Sequence, residues 1–396
     1  MVENTKVCFV VSEYVSPTRG GVERVTYTLA RELQLHNVGV HIVCAKPPLT
    51  REELNKDIRV LPEDHSNWQD FLRELLEGQH IDIIVNQSHE MALFELCRAV
   101  ASQRRCKLIT TIHSDPLSAI KGIADIDVES RYLLDKTTRI ISTIKWLVRY
   151  PYRYFCRKKY IARKYRYVYD NSDATVLLSS KFKKNFIKLS GIKDCPKLRA
   201  ISNPVELGDG HPGGKAKVLL FVGRMEFSAK RPDRIVRIWE KLYQRHLDWR
   251  LIMVGEGPAK SVLLKYCKDR GIKNIEFVGR VNPATYYQSG SILCVTSTYE
   301  GFGLVIVEAQ NYNVIPVAYD SYEALRDLIE NGQTGFLVKA FDERSYILTL
   351  ERLINDFELR EGIKGKQNFS VTKHKFSVSR IAEEWVNLFN ALNAKK

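Results

Sequence analysis

The chain has 396 residues, of which 44% are hydrophobic and 27% charged, and it carries a net charge of +15; at about 150 residues per typical domain, two domains with full cores are expected. No stretch reaches the roughly 18 uninterrupted apolar residues that span a bilayer, and the eight cysteines are scattered with no C-x-x-C pair, so an integral membrane protein is excluded and the thiols read as reduced core residues, not metal ligands. The excess positive charge calls for an anionic partner: nucleic acid, an acidic membrane surface or a phosphorylated substrate.

In "MVENTKVCFVVSEYV" the apolar run Val7 to Val11 is too short for a signal-peptide core, so a first buried strand from Lys6 to Val11 and a cytoplasmic protein are expected. Gly20 and Gly21 in "PTRGGVERV" then separate that strand from a helix over about Val22 to Leu35. Such a turn delivers backbone N–H groups at a helix start, although the third glycine of a dinucleotide fingerprint is missing. Further strands follow at Gly39 to Cys44, at "IDIIVNQ" from Ile81 and at "KLITTIH" from Lys107. The last of these ends on His113, where a parallel sheet opens to its ligand. Asp115 nearby cannot alone hold a magnesium ion, so no metal site and no cofactor are expected.

From Arg131 to Tyr167 twelve lysines and arginines stand against one acid, Asp135, interleaved with Trp146, Tyr150, Tyr152, Tyr154, Phe155, Tyr160, Tyr165 and Tyr167. Lys145, Arg149, Arg153 and Arg157 repeat every four residues, while Tyr154, Ile161, Tyr165 and Val168 recur at helical spacing. Two amphipathic helices broken near Pro151 are therefore expected. An anionic bilayer surface, a solvated face and nucleic acid are the three readings of this segment, with the membrane preferred.

Between Asn203 and Gly214 the turn formers of "NPVELGDGHPGG" mark a domain boundary, after which the alternation restarts with "KVLLFVG", "WRLIMVG", "IEFVG", "SILCVTS" and "VIPVAY". Each half reads as an α/β, doubly wound parallel sheet. The expected division is residues 1–205, with the basic segment 131–169 included, residues 215–375, and a closing helical stretch 376–396. That stretch carries Ile381, Trp385, Leu388, Phe389 and Leu392 on one face and must pack on something, expected to be the N-terminal domain.

The chemistry concentrates in the second half. "VGRMEFSAKRPDR" follows a strand and sets Arg224 and Lys230 after Gly223 at its carboxyl end, where two cations suit a diphosphate; Arg231, Arg234 and Arg237 behind them read as surface residues. "TSTYEGFGLVIVEAQ" places Gly301, Phe302, Gly303 and Leu304 at the start of a helix apolar on almost all sides, with Glu300 before it and Glu308 inside it. Free N–H groups at that start suit a phosphate, and a buried carboxylate is paired or accepts from something bound.

"EGFGLVIVEA" resembles the paired-glutamate motif of family 4 retaining glycosyltransferases, and the similarity extends over nearly the whole chain. The resemblance implies the GT-B fold, two Rossmann-like doubly wound domains facing across a cleft that holds a nucleoside-diphosphate sugar. It implies that Glu300 contacts the donor sugar and Glu308 the nucleotide ribose. It gives Gly223, Arg224 and Lys230 the leaving diphosphate, Gly20 and Gly21 the donor phosphates, and His113 the donor sugar. It sets "VGEGP", with Gly255, and "FVGRV", with Arg280 and Val281, against the base. Two departures stand out: Thr296, where the family often has proline, and "NVIPVAYDSYEAL", which lacks the glycine commonly found before the next helix. The implied reaction is retaining transfer of a sugar to a lipid-linked or polysaccharide acceptor, by an enzyme peripheral on the inner face of the cell membrane and with no nucleic-acid partner. A nucleotide-sugar epimerase of the same fold and a basic nucleic-acid-binding protein are the rival readings.

Overall fold

In the computed structural model residues 5–17, 19–50, 54–121, 136–206, 214–368 and 374–394 are described. The first five residues of the basic segment, 131–135, and most of the turn-rich boundary, 207–213, lie outside them. The chain divides into two units: Met1–Pro116, Ile161–Glu206 and Lys375–Lys396 form one, and Leu117–Tyr160 with Leu207–His374 the other.

Unit 1 is built on seven parallel strands: β1 (Lys6–Val11), β2 (Gly39–Cys44), β3 (Ile58–Val60), β4 (Ile83–Asn86), β5 (Lys107–Ile112), β6 (Ala174–Leu177) and β7 (Leu198–Ala200), in the order β3-β2-β1-β4-β5-β6-β7. The crossovers between parallel strands are helical, chiefly α1 (Val22–Leu35), α2 (Trp68–Gln79), α3 (Met91–Arg104) and, before β6 and β7, α4 (Lys136–Asp170) and α5 (Phe182–Ser190). The order reverses between β1 and β4, so the loops at their carboxyl ends flank the crevice where such sheets bind ligands.

Because side chains alternate along a strand, β1 feeds two cores. Val7, Phe9 and Val11 face Leu29 and Leu33 of α1 together with Ile381, Trp385, Leu388, Phe389 and Leu392 of the closing helix Val378–Asn393. Cys8 and Val10 face Leu72 and Leu76 of α2 and Leu93, Phe94 and Val100 of α3. The Phe9 ring meets Trp385 edge to face, with centroids 6.5 Å apart. The closing helix is thus a layer of unit 1, although almost the whole of unit 2 lies between them in sequence.

Unit 2 repeats the plan with six parallel strands, β8 (Val218–Val222), β9 (Arg250–Val254), β10 (Ile275–Gly279), β11 (Ile292–Val295), β12 (Ile315–Asp320) and β13 (Phe336–Lys339), ordered β10-β9-β8-β11-β12-β13. Its helices are α6 (Pro232–Leu242), α7 (Ala259–Asp269), α8 (Ala284–Ser289), α9 (Leu304–Asn311), α10 (Glu343–Asn355) and α11 (Phe357–Asn368). Leu219, Phe221, Leu251 and Met253 pack against Ile235, Ile238 and Trp239 of α6, Leu263 of α7 and Tyr346, Leu350 and Leu353 of α10. The switch falls between β8 and β11, the two strands whose following loops carry the arginine–lysine and glutamate motifs.

The basic segment differs from expectation. It forms one helix of 35 residues that runs through Pro151 without a break. A proline removes one backbone bond and crowds the preceding turn, which a long helix absorbs when its neighbouring turns are intact. Ile161, Tyr165 and Val168 are buried in unit 1, whereas Ile144, Leu147, Val148, Tyr152 and Phe155 are exposed. That contrast is why the part before Ile161 groups apart from the N-terminal unit to which the sequence assigned it.

Replacing Trp385 by alanine removes a side chain that is only 3% exposed and is expected to cost unit 1 about 3–5 kcal/mol. Hydrogen exchange should then accelerate in β1 and β4 while β8 and β11 keep their protection; uniform loss in all four would contradict a role confined to unit 1.

Candidate active site

The floor of the site is backbone. Beyond the ends of β8, β9 and β10 the ladder continues, with Gly223 N donating to Val254 O at 3.0 Å, Gly255 N to Gly279 O at 2.8 Å and Met225 N to Glu256 O at 2.8 Å. This close approach demands glycine at position 255: its φ is +139°, and a Cβ there would stand 2.0 Å from the Gly223 carbonyl oxygen. Gly223 in turn carries the Lys230 stem, whose methylenes lie 3.5 Å from where a Gly223 Cβ would be.

Lys230 reaches across to the glutamate loop. Its ammonium lies 2.7 Å from Glu300 Oε2, with the two side chains 22% and 8% exposed. The other carboxylate oxygen accepts from Ser297 Oγ at 2.6 Å, and the Ser297 carbonyl accepts from Ser321 Oγ at 2.7 Å. A lysine ammonium has three N–H donors and spends one here, so it can hold Glu300 and an anion together.

The two loops are stitched below this pair. Thr298 N donates to Ala229 O at 2.8 Å. The Thr296 hydroxyl donates to Arg231 O at 2.9 Å, and Arg234 Nη1 donates to Thr296 O at 2.8 Å. Thr296, in place of the proline common in the resembled family, therefore ties the glutamate loop to the end of the lysine loop. Arg231 and Arg234, expected at the surface, are 4% and 7% exposed. Arg231 makes a bidentate pair with Asp233, Nε to Oδ1 at 2.8 Å and Nη2 to Oδ2 at 3.0 Å. Arg234 lies over the Phe341 ring at 4.0 Å. Pairing and an aromatic face are what allow a guanidinium to be buried; Arg237 is half-buried, 3.8 Å from Glu343.

Arg224 sits on the same loop but outside the pair: its side chain is 73% exposed and 3.7 Å from Glu226. Past Glu300, Gly301 leads to buried Phe302 and to Gly303, the N-cap of α9, with φ +102°. A Cβ on Gly303 would stand 2.7 Å from the Tyr322 hydroxyl. That hydroxyl is buried with no hydrogen-bond partner among the described residues; burial first, and the Glu300 charge second, push the phenol well above its ordinary range.

Glu308 was expected to be the buried carboxylate of an apolar helix. It is half-buried instead, because Leu304, Val305 and Glu308 form the one open face of α9, while Ile306, Val307, Ala309 and Gln310 are buried. Tyr287 OH donates to Glu308 Oε2 at 3.1 Å, and the Tyr287 ring stacks on Tyr312 with centroids 6.0 Å apart. Arg280 and Val281 follow β10 and are exposed.

Gly20, Gly21 and His113 belong to unit 1. Both glycines are exposed, and Gly21 is the N-cap of α1 with φ +67°. His113 directly follows β5, with Nε2 hydrogen-bonded to Gln87 Oε1, and its Nδ1 is buried without a partner among the described residues. Burial, helped by His89, pushes the imidazole down to about 3. Asp115 is fully buried and accepts from Asn185 Nδ2 at 3.2 Å. Unit 2 thus brings together Gly223, Lys230, Glu300 and Gly301 to Leu304, with Gly255 beneath them. Sequence reasoning missed Ser297, Tyr287 and Tyr322; only Tyr322 left a signal, standing in the loop that lacks the usual glycine. Among the described residues no group of three or more His, Cys, Asp or Glu converges to hold a metal ion.

Two parallel Rossmann-like sheets of this order form the GT-B fold, the architecture of the Anabaena HepE protein solved with UDP and glucose (TM-score 0.73, 14% identity, 98% of this chain and 100% of that one). The models for Glycosyltransferase Family 4 and for Glycosyl transferases group 1 match residues 19–209 and 209–367, and the chain belongs to glycosyltransferase family 4. An uncharacterized glycosyltransferase of Haemophilus influenzae is 31% identical over 43% of this chain and 48% of its own length. The GalNAc-α-(1→4)-GalNAc-α-(1→3)-diNAcBac-PP-undecaprenol α-1,4-N-acetyl-D-galactosaminyltransferase of Campylobacter jejuni is 29% identical over 44% and 48%. The chain spans about half the length of these curated relatives.

Asp233→Ala removes the carboxylate that pairs with the buried Arg231 guanidinium and is expected to destabilise unit 2 by about 3–5 kcal/mol, read as a lower urea midpoint; an unchanged midpoint would mean that the pair is idle. For His113 the folded pKa lies below the ordinary 6.5, so the unfolded chain takes the proton first and the stability held by the neutral ring is lost as pH falls below 6.5 toward about 3. An NMR titration should show His113 neutral at about pH 5, where exposed histidines are already charged; a midpoint near theirs would refute a desolvated ring.

Proposed function

We propose that this protein is a retaining glycosyltransferase that moves a sugar from a nucleoside-diphosphate sugar to an acceptor hydroxyl in the synthesis of a lipid-linked or surface glycan. The observation that carries the reading is the Lys230–Glu300 pair beside the amino end of α9. As the bond from sugar to diphosphate breaks, negative charge grows on the departing phosphate. Lys230, the α9 amides near Gly303 and Leu304, and Arg224 turned inward from its exposed position are the groups that stabilise it. Glu300, held on one oxygen by Ser297, accepts from a hydroxyl of the donor sugar. Glu308, steadied by Tyr287, accepts from the ribose. Gly255 backs the nucleotide side, with Arg280 and Val281 toward the base. In unit 1, Gly20 and Gly21 serve the donor phosphates. The acceptor attacks from the face that the diphosphate leaves, which retains configuration without a covalent enzyme intermediate.

The acceptor class rests on two supports. The Campylobacter relative is named for a glycan carried on undecaprenol diphosphate. In this chain the exposed part of α4 presents Ile144, Leu147, Val148, Tyr152 and Phe155 beside Lys145, Arg149, Arg153 and Arg157. Apolar side chains among cations suit an anionic bilayer surface, where a lipid-linked acceptor is presented. The contact proposed is peripheral; among the described residues no helix is long and apolar enough to cross the membrane.

Thermal unfolding with UDP, GDP, ADP and CDP tests the donor site. One nucleotide at about 100 times its dissociation constant should add roughly 2.7 kcal/mol, and Glu308→Ala should abolish the gain; no gain with any of them would remove the transferase reading. Lys230→Ala should lower kcat by about 10²–10³-fold with a smaller effect on donor KM, whereas Glu308→Gln should act mainly on KM. Binding to vesicles containing an anionic phospholipid should weaken with salt and with the double substitution Arg149→Glu and Arg153→Glu; equal binding to neutral vesicles would count against the charged face.

A further inference from the structure

At the carboxyl ends of β1, β4 and β5 unit 1 carries a polar layer that the chemistry of unit 2 does not use. Ser12 and Ser88 hydroxyls lie 2.6 Å apart, Ser88 N donates to Asn86 Oδ1 at 3.0 Å, and Glu90 N donates to Ser88 Oγ at 2.9 Å. Gln87 N donates to Val10 O at 2.9 Å, the next rung of the β1–β4 ladder. The backbone is therefore fixed on both sides of Gln87, whose side chain is 3% exposed and directed at His113.

The contact decides which imidazole nitrogen carries the proton. A carboxamide oxygen only accepts, so His113 Nε2 must donate to it, and Nδ1 is left with a lone pair. Nδ1 is buried and has no partner among the described residues. A buried acceptor without a donor is costly unless a ligand supplies one. The ionisable groups beside the ring do not: His89 acts on it only as a nearby charge, and Asp115 is a hydrogen-bond acceptor held by Asn185. A phosphate diester oxygen offers no proton and would repel the lone pair, whereas a sugar hydroxyl offers one.

We propose that Gln87 is a positioning residue that locks His113 in the tautomer with a bare Nδ1, so that His113 accepts a hydrogen bond from a sugar hydroxyl of the substrate. This rests on the glycosyl-transfer reading for the identity of the hydroxyl, but not for the tautomer.

Nitrogen-15 NMR of the full chain labelled in histidine reads the tautomer without catalysis. The wild type should show His113 protonated at Nε2 and bare at Nδ1. Gln87→Leu should give a mixture of tautomers, and Gln87→Glu, with a carboxylate facing the ring, should restore the wild-type tautomer while bringing imidazolium into view as the pH is lowered. A wild-type ring protonated at Nδ1 would overturn the proposal, since it would mean that the Gln87 nitrogen faces the histidine. So would a Gln87→Leu protein that keeps the wild-type tautomer. In the transfer assay Gln87→Leu should lower kcat/KM about 10-fold or more for the complete donor, the scale of one lost hydrogen bond, and leave unchanged the rate for the donor analogue lacking the bonded hydroxyl. An equal fall for every deoxy analogue would also overturn it. An intact, Gln87-dependent tautomer in a protein with no transfer activity would sink the transferase reading and leave the lock standing.

Discussion

One ion pair organises unit 2. Lys230 comes from the loop after β8 and Glu300 from the loop after β11, the two strands between which the sheet order reverses. Either charge alone would be expensive where it stands, because Glu300 is almost fully covered and Lys230 lies along backbone that cannot solvate it. Together they hold the two loops in direct contact, ammonium to carboxylate at 2.7 Å. Everything beneath serves that spacing: the glycine floor lets Lys230 lie flat, and Thr296, Arg231 and Arg234 tie the loop ends without using the ammonium or the carboxylate.

The same chain builds two sheets by one rule and gives them different chemistry. Unit 2 offers cations, helix amides and carboxylates, suited to an anionic leaving group and to hydroxyls. The carboxyl ends of the unit 1 strands offer an imidazole, amides and serine hydroxyls, and Asp115 there is engaged by Asn185.

Much of this was legible in the sequence because the signals were local. β1, β5, β8 and β11 are short apolar runs that end in loops rich in glycine or charge, and the spacing from Glu300 to Glu308 is that of the family motif itself. β3, β6, β7 and β13 are three or four residues long, too short for alternation to distinguish them from loops. Arg231 and Arg234 read as surface because a run of charges is ordinarily exposed; that Arg231 folds back on Asp233, two residues on in the first turn of α6, and that Arg234 meets Phe341, more than a hundred residues on, shows only in three dimensions. Pro151 read as a break because a propensity acts on one turn, whereas the helix is held over 35 residues. The His113 tautomer was beyond reach, since it depends on Gln87 from the neighbouring strand.

The closing helix has a consequence for the order of biosynthesis. Phe9 and Val11 emerge from the ribosome well before the aromatic layer that covers them, Trp385 and Phe389, with the strands of unit 2 synthesised in between. Domains usually fold N-terminal first, but here one face of the N-terminal sheet waits with only part of its cover, from α1, while unit 2, all of whose strands precede the closing helix, completes its own core. Through that interval the nascent chain exposes an apolar sheet surface to whatever chaperone or neighbouring chain is at hand, and the last sixteen helical residues set the moment at which the exposure ends.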